Sequence, residues 1–213
     1  MTGLIRRAGT FGRAALTAIP VLLAAAPASA HHVMGGGTPA TFMQGLLSGL
    51  GHPVIGPDHF AFLLAIGIVV GIGGFSLALP AAFVVSMAIG VALHVNGIDV
   101  PGAEIVVVAS VLLAGLLIAR GRALPGAAWA ALFVLAGLFH GYAFGESIFG
   151  AEATPLAAYL VGLAAIQTVL TVGVALLVRR LGERLAGIAP RLAGAAIVGV
   201  GFAALMGQLV PGP

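Results

Sequence analysis

Six long apolar segments follow one another along this chain, and they constrain its fold more than any other feature. Their lengths are close to the ~20 residues that an α-helix needs to cross the hydrocarbon core of a bilayer. Turn-forming residues such as Gly73-Gly74 and Asn96-Gly97 separate them. The pattern predicts an all-α fold, a polytopic membrane bundle with six transmembrane helices at residues 58–74, 76–96, 103–119, 126–145, 155–178 and 191–210.

Composition supports the membrane prediction and excludes several classes of function. Of 213 residues, 61% are hydrophobic and 7% are charged, and the mean hydropathy is +1.18, a balance typical of bilayer proteins. The chain has no cysteine, which excludes disulfides, thiolate metal ligands and thiol nucleophiles. All nine basic residues are arginines scattered along the chain, so we predict no surface for nucleic acid. The expected surroundings are membrane lipid.

The first thirty residues have the pattern of a secretory signal peptide. Three arginines precede a short apolar run, which ends in the small-residue sequence Ala-Ser-Ala at 28–30. We predict a cleavable signal peptide at residues 1–30 and a six-span transmembrane domain at residues 31–213. The alternative is an uncleaved first helix.

Cleavage after Ala30 would leave His31 and His32 at the mature N-terminus. The free α-amine and the two imidazoles are nitrogen donors that divalent transition metals accept. This end is therefore a candidate site for metal capture, and the alternative is a solvated tail without a binding role.

The arginines also predict the orientation of the bundle. With an exported mature N-terminus and six spans, the loops at 120–125 and 179–190 are cytoplasmic. Every arginine of the mature chain lies in these loops or at their edge, as the positive-inside rule requires. We therefore predict a multi-pass protein of the bacterial inner membrane with both mature termini in the periplasm. A full extra span at 41–50 would reverse this orientation, so that stretch should be a short re-entrant or interfacial helix, or the first part of a broken one.

The stretch HPVIGPDHF, residues 52–60, concentrates polar and helix-breaking residues in this apolar chain. An ionisable side chain at membrane depth is costly, so it is a candidate for function with a partner inside the protein. Pro53 is expected to push His52 out of helical geometry. The Gly-Pro pair that follows can start a new helix with Asp58 in its first turn, where the helix dipole favours a carboxylate. The motif predicts a broken helix that builds a site from His52, Asp58 and His59, because such a break is tolerated only beside a cavity or other protein groups.

A second cluster, HGYAFGE at residues 140–146, closes the fourth predicted span and has the same His-x5-acid spacing. Residues six apart lie about 240° apart around a straight helix. His140 and Glu146 would therefore share one ligand only if the glycines unwind that turn, and otherwise they line different walls. His94, at the outer end of the second span, and Glu104, at the outer start of the third, are predicted at a similar depth.

Imidazole and carboxylate donors without sulfur suit Ni²⁺, Co²⁺, Zn²⁺ or Mn²⁺ and argue against a path for Cu(I). The simpler alternative for each residue is that it caps a helix or bonds a neighbouring carbonyl, and His94 could be an interfacial residue. Further inward, small hydroxyls in spans more often bridge helices than conduct ions. Gln167 with Thr168 and Thr171 is the best candidate for the inner half of a path.

Three stretches of the chain resemble the HupE/UreJ family of bacterial nickel/cobalt permeases. They are HPVIGPDH at 52–59, the pair LPAAFVVSMAIG at 79–90 and VPGAEIVVVASVLLAGLL at 100–117, and FHGYAFGE at 139–146. The resemblance implies uptake of Ni²⁺, or of Co²⁺, with the ion as the transported substrate and no organic cofactor. It also implies a link to hydrogenase or urease maturation. The positions that match its metal-associated motifs are His52, Asp58, His59, His140 and Glu146.

The chain departs from the family pattern at three positions. Many members carry a Met where Leu63 stands, a His where Phe144 stands, and a His near Thr171. The departures imply a subgroup with fewer metal donors at each step.

We therefore predict a six-span permease, not an enzyme, whose outward-facing entrance is built from the two His-x5-acid motifs. Its partners are the metal ion, membrane lipid and, as a further prediction, other copies of the chain. The alternatives are an intramembrane metal-dependent hydrolase, with a catalytic metal on its histidines, and a non-transporting metal receptor or chaperone. The predicted order of metal transfer is His31 and His32, then His52, Asp58 and His59, then His140 and Glu146.

Overall fold

The computed structural model describes residues 37–121, 124–182 and 187–210. The predicted signal peptide and the pair His31-His32 lie outside the described residues. Within these ranges the chain is all helical and has no strand, as the apolar pattern predicted. The seven helices are α1 (Phe42–Ile55), α2 (Pro57–Ile72), α3 (Ala78–Val95), α4 (Ala103–Ala119), α5 (Gly126–Glu146), α6 (Ala153–Leu181) and α7 (Ile188–Leu209).

Each predicted apolar segment coincides with one of the helices α2 to α7, and every boundary agrees to within three residues. Four helices, α3, α5, α6 and α7, are long and apolar enough to cross a membrane. α1 and α2 pass the same test only as a pair, and they meet at an angle of 78°, as in a broken span or a re-entrant loop. α4 is also apolar, and its 17 residues lie at the short end of the range for a membrane-crossing helix.

The break between α1 and α2 lies at Gly56 and not at His52. The expectation that Pro53 removes His52 from helical geometry was wrong, because both residues lie within α1. The restriction on a residue before proline is a bias, and the packing of α1 against α6 holds its last turn helical. Gly56 adopts an extended backbone (φ −76°, ψ 106°) that redirects the chain. Pro57 then begins α2, where its missing N–H is tolerated, and Asp58 lies in the first turn as predicted.

Glycines allow the helix backbones to approach one another closely. α1 packs on α6, where a side chain on Gly49 would collide with the backbone of Tyr159, and α3 packs on α5, where one on Gly90 would collide with the backbone of Leu138. α4 pairs in the same way with α7 through Gly115. Small residues at helix contacts are typical of membrane bundles, so these glycines serve packing.

α2 is the central helix of the bundle. It contacts α1, α3, α4, α6 and α7, and Phe62, Ile66 and Val70 on it are fully buried. The helices around it expose large apolar side chains such as Val85 and Val161. An apolar exterior around buried polar groups reverses the usual distribution in soluble proteins and fits a protein surrounded by lipid.

One end of the bundle carries the arginines. Arg179 donates a hydrogen bond to the carbonyl of Phe75, and a cavity of about 820 Å³ opens beside them. The ends of α2, α4, α6 and α7 line this arginine-end cavity, together with Trp129, Arg179 and Arg191. Tyr159, which contacts His52, lies 20 residues before Arg179 on α6, or ~30 Å along the helix. The two His-x5-acid motifs and this cavity therefore lie at opposite ends of the molecule.

Candidate metal-binding site

The two His-x5-acid motifs converge in the structure. His59, at the start of α2, lies against His140 of α5 with their Nδ1 atoms 2.8 Å apart. His52, near the end of α1, lies beside His59 with a distance of 6.0 Å between ring centroids. The exposed fractions of His52, His59 and His140 are 5%, 6% and 1%. These three residues form what we call the histidine cluster.

The hydrogen bonds around His140 determine which ring nitrogens carry hydrogen. Ser110 Oγ donates its only hydrogen to the carbonyl of Val107, at 2.6 Å, and lies 3.0 Å from His140 Nε2. His140 Nε2 must therefore be the donor to that oxygen. A neutral imidazole has one N–H, so His140 Nδ1 accepts and His59 Nδ1 donates in the bond between them. We assign neutral His59 the tautomer in which Nε2 is unprotonated.

Two hydroxyls hold His52. Its Nδ1 lies 3.0 Å from Ser147 Oγ and 3.1 Å from Tyr159 Oη. Both hydroxyls also donate to the carbonyl of Phe144, at 3.1 and 2.8 Å, which is one of the last carbonyls of α5 and lacks an intrahelical partner. The two hydroxyls also lie 3.0 Å from each other, so His52 Nδ1, Ser147, Tyr159 and the Phe144 carbonyl form one hydrogen-bond network.

Aromatic rings enclose the histidine cluster. Phe144 is fully buried, and its ring centroid lies 4.3 Å from that of His59 and 5.0 Å from that of His52. Phe62 stacks on His140 with centroids 4.6 Å apart. These rings fix the orientation of the imidazoles and limit the access of water to them. Phe144 also occupies the position at which many members of the resembled family carry a histidine.

The acidic residues of the two motifs are placed differently. Asp58 is half-buried, and its Oδ1 accepts the backbone N–H of His59 at 2.9 Å. α5 continues as a helix to Glu146, so its glycines do not unwind the last turn. Glu146 is exposed whereas His140 is buried. The two residues therefore line different walls, which is the second of the two arrangements considered for this motif.

His94 and Glu104 lie at the periphery. His94 packs on Tyr142 with ring centroids 4.6 Å apart, and its buried Nδ1 has no hydrogen-bond partner within the described part of the chain. Glu104 is exposed in the first turn of α4, and its backbone carbonyl accepts a hydrogen bond from Gln208 at 3.3 Å. The structure thus places both near the outer helix ends.

The site contains few side chains that could coordinate a metal ion. Across residues 37–121, 124–182 and 187–210, no three His, Asp or Glu side chains are arranged so that they could hold a metal ion together. Metal binding by the motif residues therefore stays a prediction. The cluster does contain the imidazoles of His52 and His59, with the Asp58 carboxylate next to His59. Neutral imidazole and carboxylate are donors that divalent transition metals accept.

Sequence reasoning missed the groups that position the imidazoles. Ser110 lies in the second stretch that resembles the family and is one of the small hydroxyls for which helix bridging is the commoner role, and no prediction included Ser147 or Tyr159. Ser147 directly follows the second motif, which is the one signal that could have drawn attention to it. Tyr159 lies near the outer end of its span, where tyrosine is commonly an interfacial anchor, so no local pattern marked it as a partner of His52.

Comparison with known proteins covers most of the chain. The family model described as HupE / UreJ protein matches residues 19–204, a range that includes both His-x5-acid motifs. Protein HupE of Rhizobium leguminosarum bv. viciae is 33% identical over an alignment of 183 residues, and the alignment covers 82% of this chain and 92% of that protein. No solved structure matches the chain.

Proposed function

The chain belongs to the HupE/UreJ family, and we propose that it is a permease that takes up a divalent transition metal ion across the bacterial inner membrane. We expect Ni²⁺ to be the substrate, with Co²⁺ as the alternative, because the three stretches that resemble the family imply these ions. The observation that carries the proposal is the histidine cluster. Three buried imidazoles meet at a helix break, in a bundle whose outer surface is apolar, and such costly groups at membrane depth mark an ion pathway.

Six membrane crossings are part of this proposal. Gly49 of α1 packs against Tyr159, and Gly67 of α2 packs against Thr171, further along α6. The bent pair therefore progresses along α6 in one direction, which supports one broken span over a re-entrant loop. α3, α4, α5, α6 and α7 complete the six. The arginine-end cavity, with Arg179 at its edge, is then cytoplasmic by the positive-inside rule, and both mature termini are periplasmic.

We expect the ion to bind first at the helix break. Asp58 lies half-buried at this position and offsets the charge of an ion that loses part of its water shell. We expect His52 and His59 to coordinate through their Nε2 atoms, which must be unprotonated when the ion binds. Each has its other ring nitrogen fixed by a hydrogen bond, to hydroxyls for His52 and to His140 for His59, and this arrangement is typical of metal-binding histidines.

His140 is the next station for the ion. Its Nδ1 accepts the hydrogen of His59 Nδ1 at 2.8 Å, and this hydrogen must leave before an ion can bind between the two nitrogens. When the ion leaves His59 Nε2, the hydrogen can move to that nitrogen, so the transfer inward needs no net proton. Coordination by two or three donors at each step keeps binding weak enough for release.

Several further residues act as outer capture groups in this proposal. Glu104 and Glu146 are exposed, and their negative charge raises the local concentration of cations at the entrance. His31 and His32, which lie outside the described residues, add imidazole donors, and His94 borders the same face. The ion is the substrate, and no organic cofactor enters the proposal. A link to hydrogenase or urease maturation follows from the family resemblance.

The test is accumulation of radiolabelled Ni²⁺ and Co²⁺ in bacterial cells that lack their own nickel uptake. We expect uptake with the wild-type chain and little with His52→Ala, Asp58→Ala or His140→Ala. Val54→Ala is the matched control, since Val54 lies two residues from His52 on the exposed face of α1. Uptake should also decline below neutral pH, where protons compete with the metal for imidazole nitrogens.

Two results would contradict the proposal at different levels. Accumulation no higher than with the empty vector, for either ion, argues against the permease. Wild-type uptake that all three substitutions leave unchanged argues against the site, although the permease would stand.

A further inference from the structure

One face of α6 is buried from Tyr159 to Ala175. Its residues follow one another at intervals of four, which places them on one side of a helix. The face begins where Tyr159 meets His52 and ends one turn before Val178 and Arg179, which line the arginine-end cavity. It therefore connects the histidine cluster with that cavity. The fully buried residues of this face are Tyr159, Leu163, Gln167, Thr171 and Ala175.

Gln167 is the unusual member of this face. Both polar atoms of its side-chain amide are buried, and neither Oε1 nor Nε2 has a hydrogen-bond partner among the described residues. Thr171, one turn later, donates its hydroxyl hydrogen to the backbone carbonyl of Gln167 at 2.7 Å and makes no hydrogen bond to the side-chain amide. A buried amide without partners destabilises the fold. Native proteins leave few such groups unless water or an ion satisfies them.

Gln167 lies on α6 between the contacts that α6 makes with α1 and with α2. Gly49 of α1 packs against α6 one to two turns before Gln167, and Gly67 of α2 packs against α6 one turn after it, at Thr171. Between these two contacts the chain passes through the 78° bend. Along α6, Gln167 therefore lies between the positions at which the two helices of the bent pair pack. Along α6 it is eight residues from Tyr159 and twelve from Arg179, or ~12 Å and ~18 Å.

We infer that Gln167 forms an interior binding position for the transported divalent cation, between the histidine cluster and the arginine-end cavity. The amide Oε1 is the ligand, and Nε2 donates to a water molecule or another acceptor that accompanies the ion. A neutral carbonyl oxygen is a weak ligand, so it can receive a partly hydrated cation and release it again. This inference rests on the proposed function and adds an inner binding position to the path of the ion.

The experiment compares Gln167→Leu with the wild type in proteoliposomes, with Ni²⁺ as the probe. We expect the maximal uptake rate to fall by at least ~10-fold, as after the loss of one supporting metal contact, while the KM for Ni²⁺ changes little because the outer site is intact. The thermal unfolding temperature should stay equal or rise, since an unsatisfied polar group has been removed. Ala165→Leu, which adds the same side chain on the exposed face of α6, is the matched control.

Two outcomes would overturn the inference while wild-type uptake is intact. One is an unchanged maximal rate in Gln167→Leu. The other is a lower unfolding temperature with uptake reduced only in proportion to the folded protein, which would assign the amide a structural role.

Equilibrium binding separates a failure of this inference from a failure of the proposed function. Wild-type protein that transports no metal contradicts the permease, and Gln167 is then judged by Ni²⁺ binding to the purified chain. A weak site that persists in His52→Ala and disappears when Gln167→Leu is added supports the interior position. The absence of such a site in His52→Ala overturns it.

Discussion

The two motifs, at residues 52–59 and 140–146, share the His-x5-acid spacing, but the helices carry them differently. In the first motif the chain turns at Gly56, so His52 and His59 come from two helices and approach the same space. In the second motif α5 is unbroken, so His140 is buried and Glu146 is exposed. The break therefore lets the first motif contribute two histidines to one site, whereas the unbroken second motif contributes one.

The largest effect should come from removing an imidazole from the interior. His59→Ala and His140→Ala each remove a proposed ligand and also break the hydrogen bond between the two rings. We expect the initial rate of Ni²⁺ uptake to fall by ~100-fold in each variant. The rates are compared at equal amounts of protein in the membrane, and a near-normal rate in either variant would show that the motifs do not cooperate.

Straightening the broken motif should have the next largest effect. With Gly56→Ala and Pro57→Ala together, α1 and α2 can join into one helix, which moves His52 away from His59, and we expect a ~10-fold loss of uptake. The chain has no cysteine, so spin labels on cysteines introduced at the exposed positions Leu47 and Ile72 can report the bend. Full uptake by a straightened variant would contradict the role of the break.

Adding an imidazole to the unbroken motif should let it contribute two histidines to the site, as the first motif does. Phe144 lies against both His52 and His59, so Phe144→His places a further donor beside the proposed ligands. We expect Ni²⁺ to bind several-fold tighter, by up to ~10-fold, and to be transported more slowly because release is slower. Equilibrium binding to protein in nanodiscs measures this, with Phe144→Leu as control. Equal affinities in the two variants would place the ion elsewhere.

The smallest effect should come from the exposed acid of the unbroken motif. Glu146→Gln removes a surface charge, so we expect a ~2-fold rise in the KM for uptake at low ionic strength that disappears in high salt. A salt-independent loss as large as that of His140→Ala would show that Glu146 binds the ion directly.

The helices could be predicted closely because their signal is local. Long apolar runs between Gly, Pro and Asn turns gave α2 to α7 to within three residues. The position of the break was harder, because the bias that Pro53 imposes on His52 is weaker than the packing that holds the end of α1 helical. The outward position of Glu146 followed from the helix period once α5 proved to be unbroken.

The hydrogen bonds that position the histidine cluster could not be predicted from the sequence. His52 meets Tyr159 at a separation of 107 residues, and His140 meets Ser110 at a separation of 30. Such contacts depend on which helices are neighbours, and apolar periodicity carries little information about neighbours in a bundle that is apolar outside and inside. The sequence makes Gln167 a candidate for the inner half of a path, but the absence of partners for its amide among the described residues depends on the fold.

The most direct test of the claim that both motifs build one metal path is X-ray absorption at the nickel edge. The sample is Ni²⁺-loaded protein in nanodiscs, purified without a histidine tag. We predict imidazole scattering in the wild type, no sulfur ligand, and loss of most imidazole scattering when His52, His59 and His140 are all replaced by alanine. A wild-type spectrum without imidazole, or one that the triple substitution leaves unchanged, would contradict it.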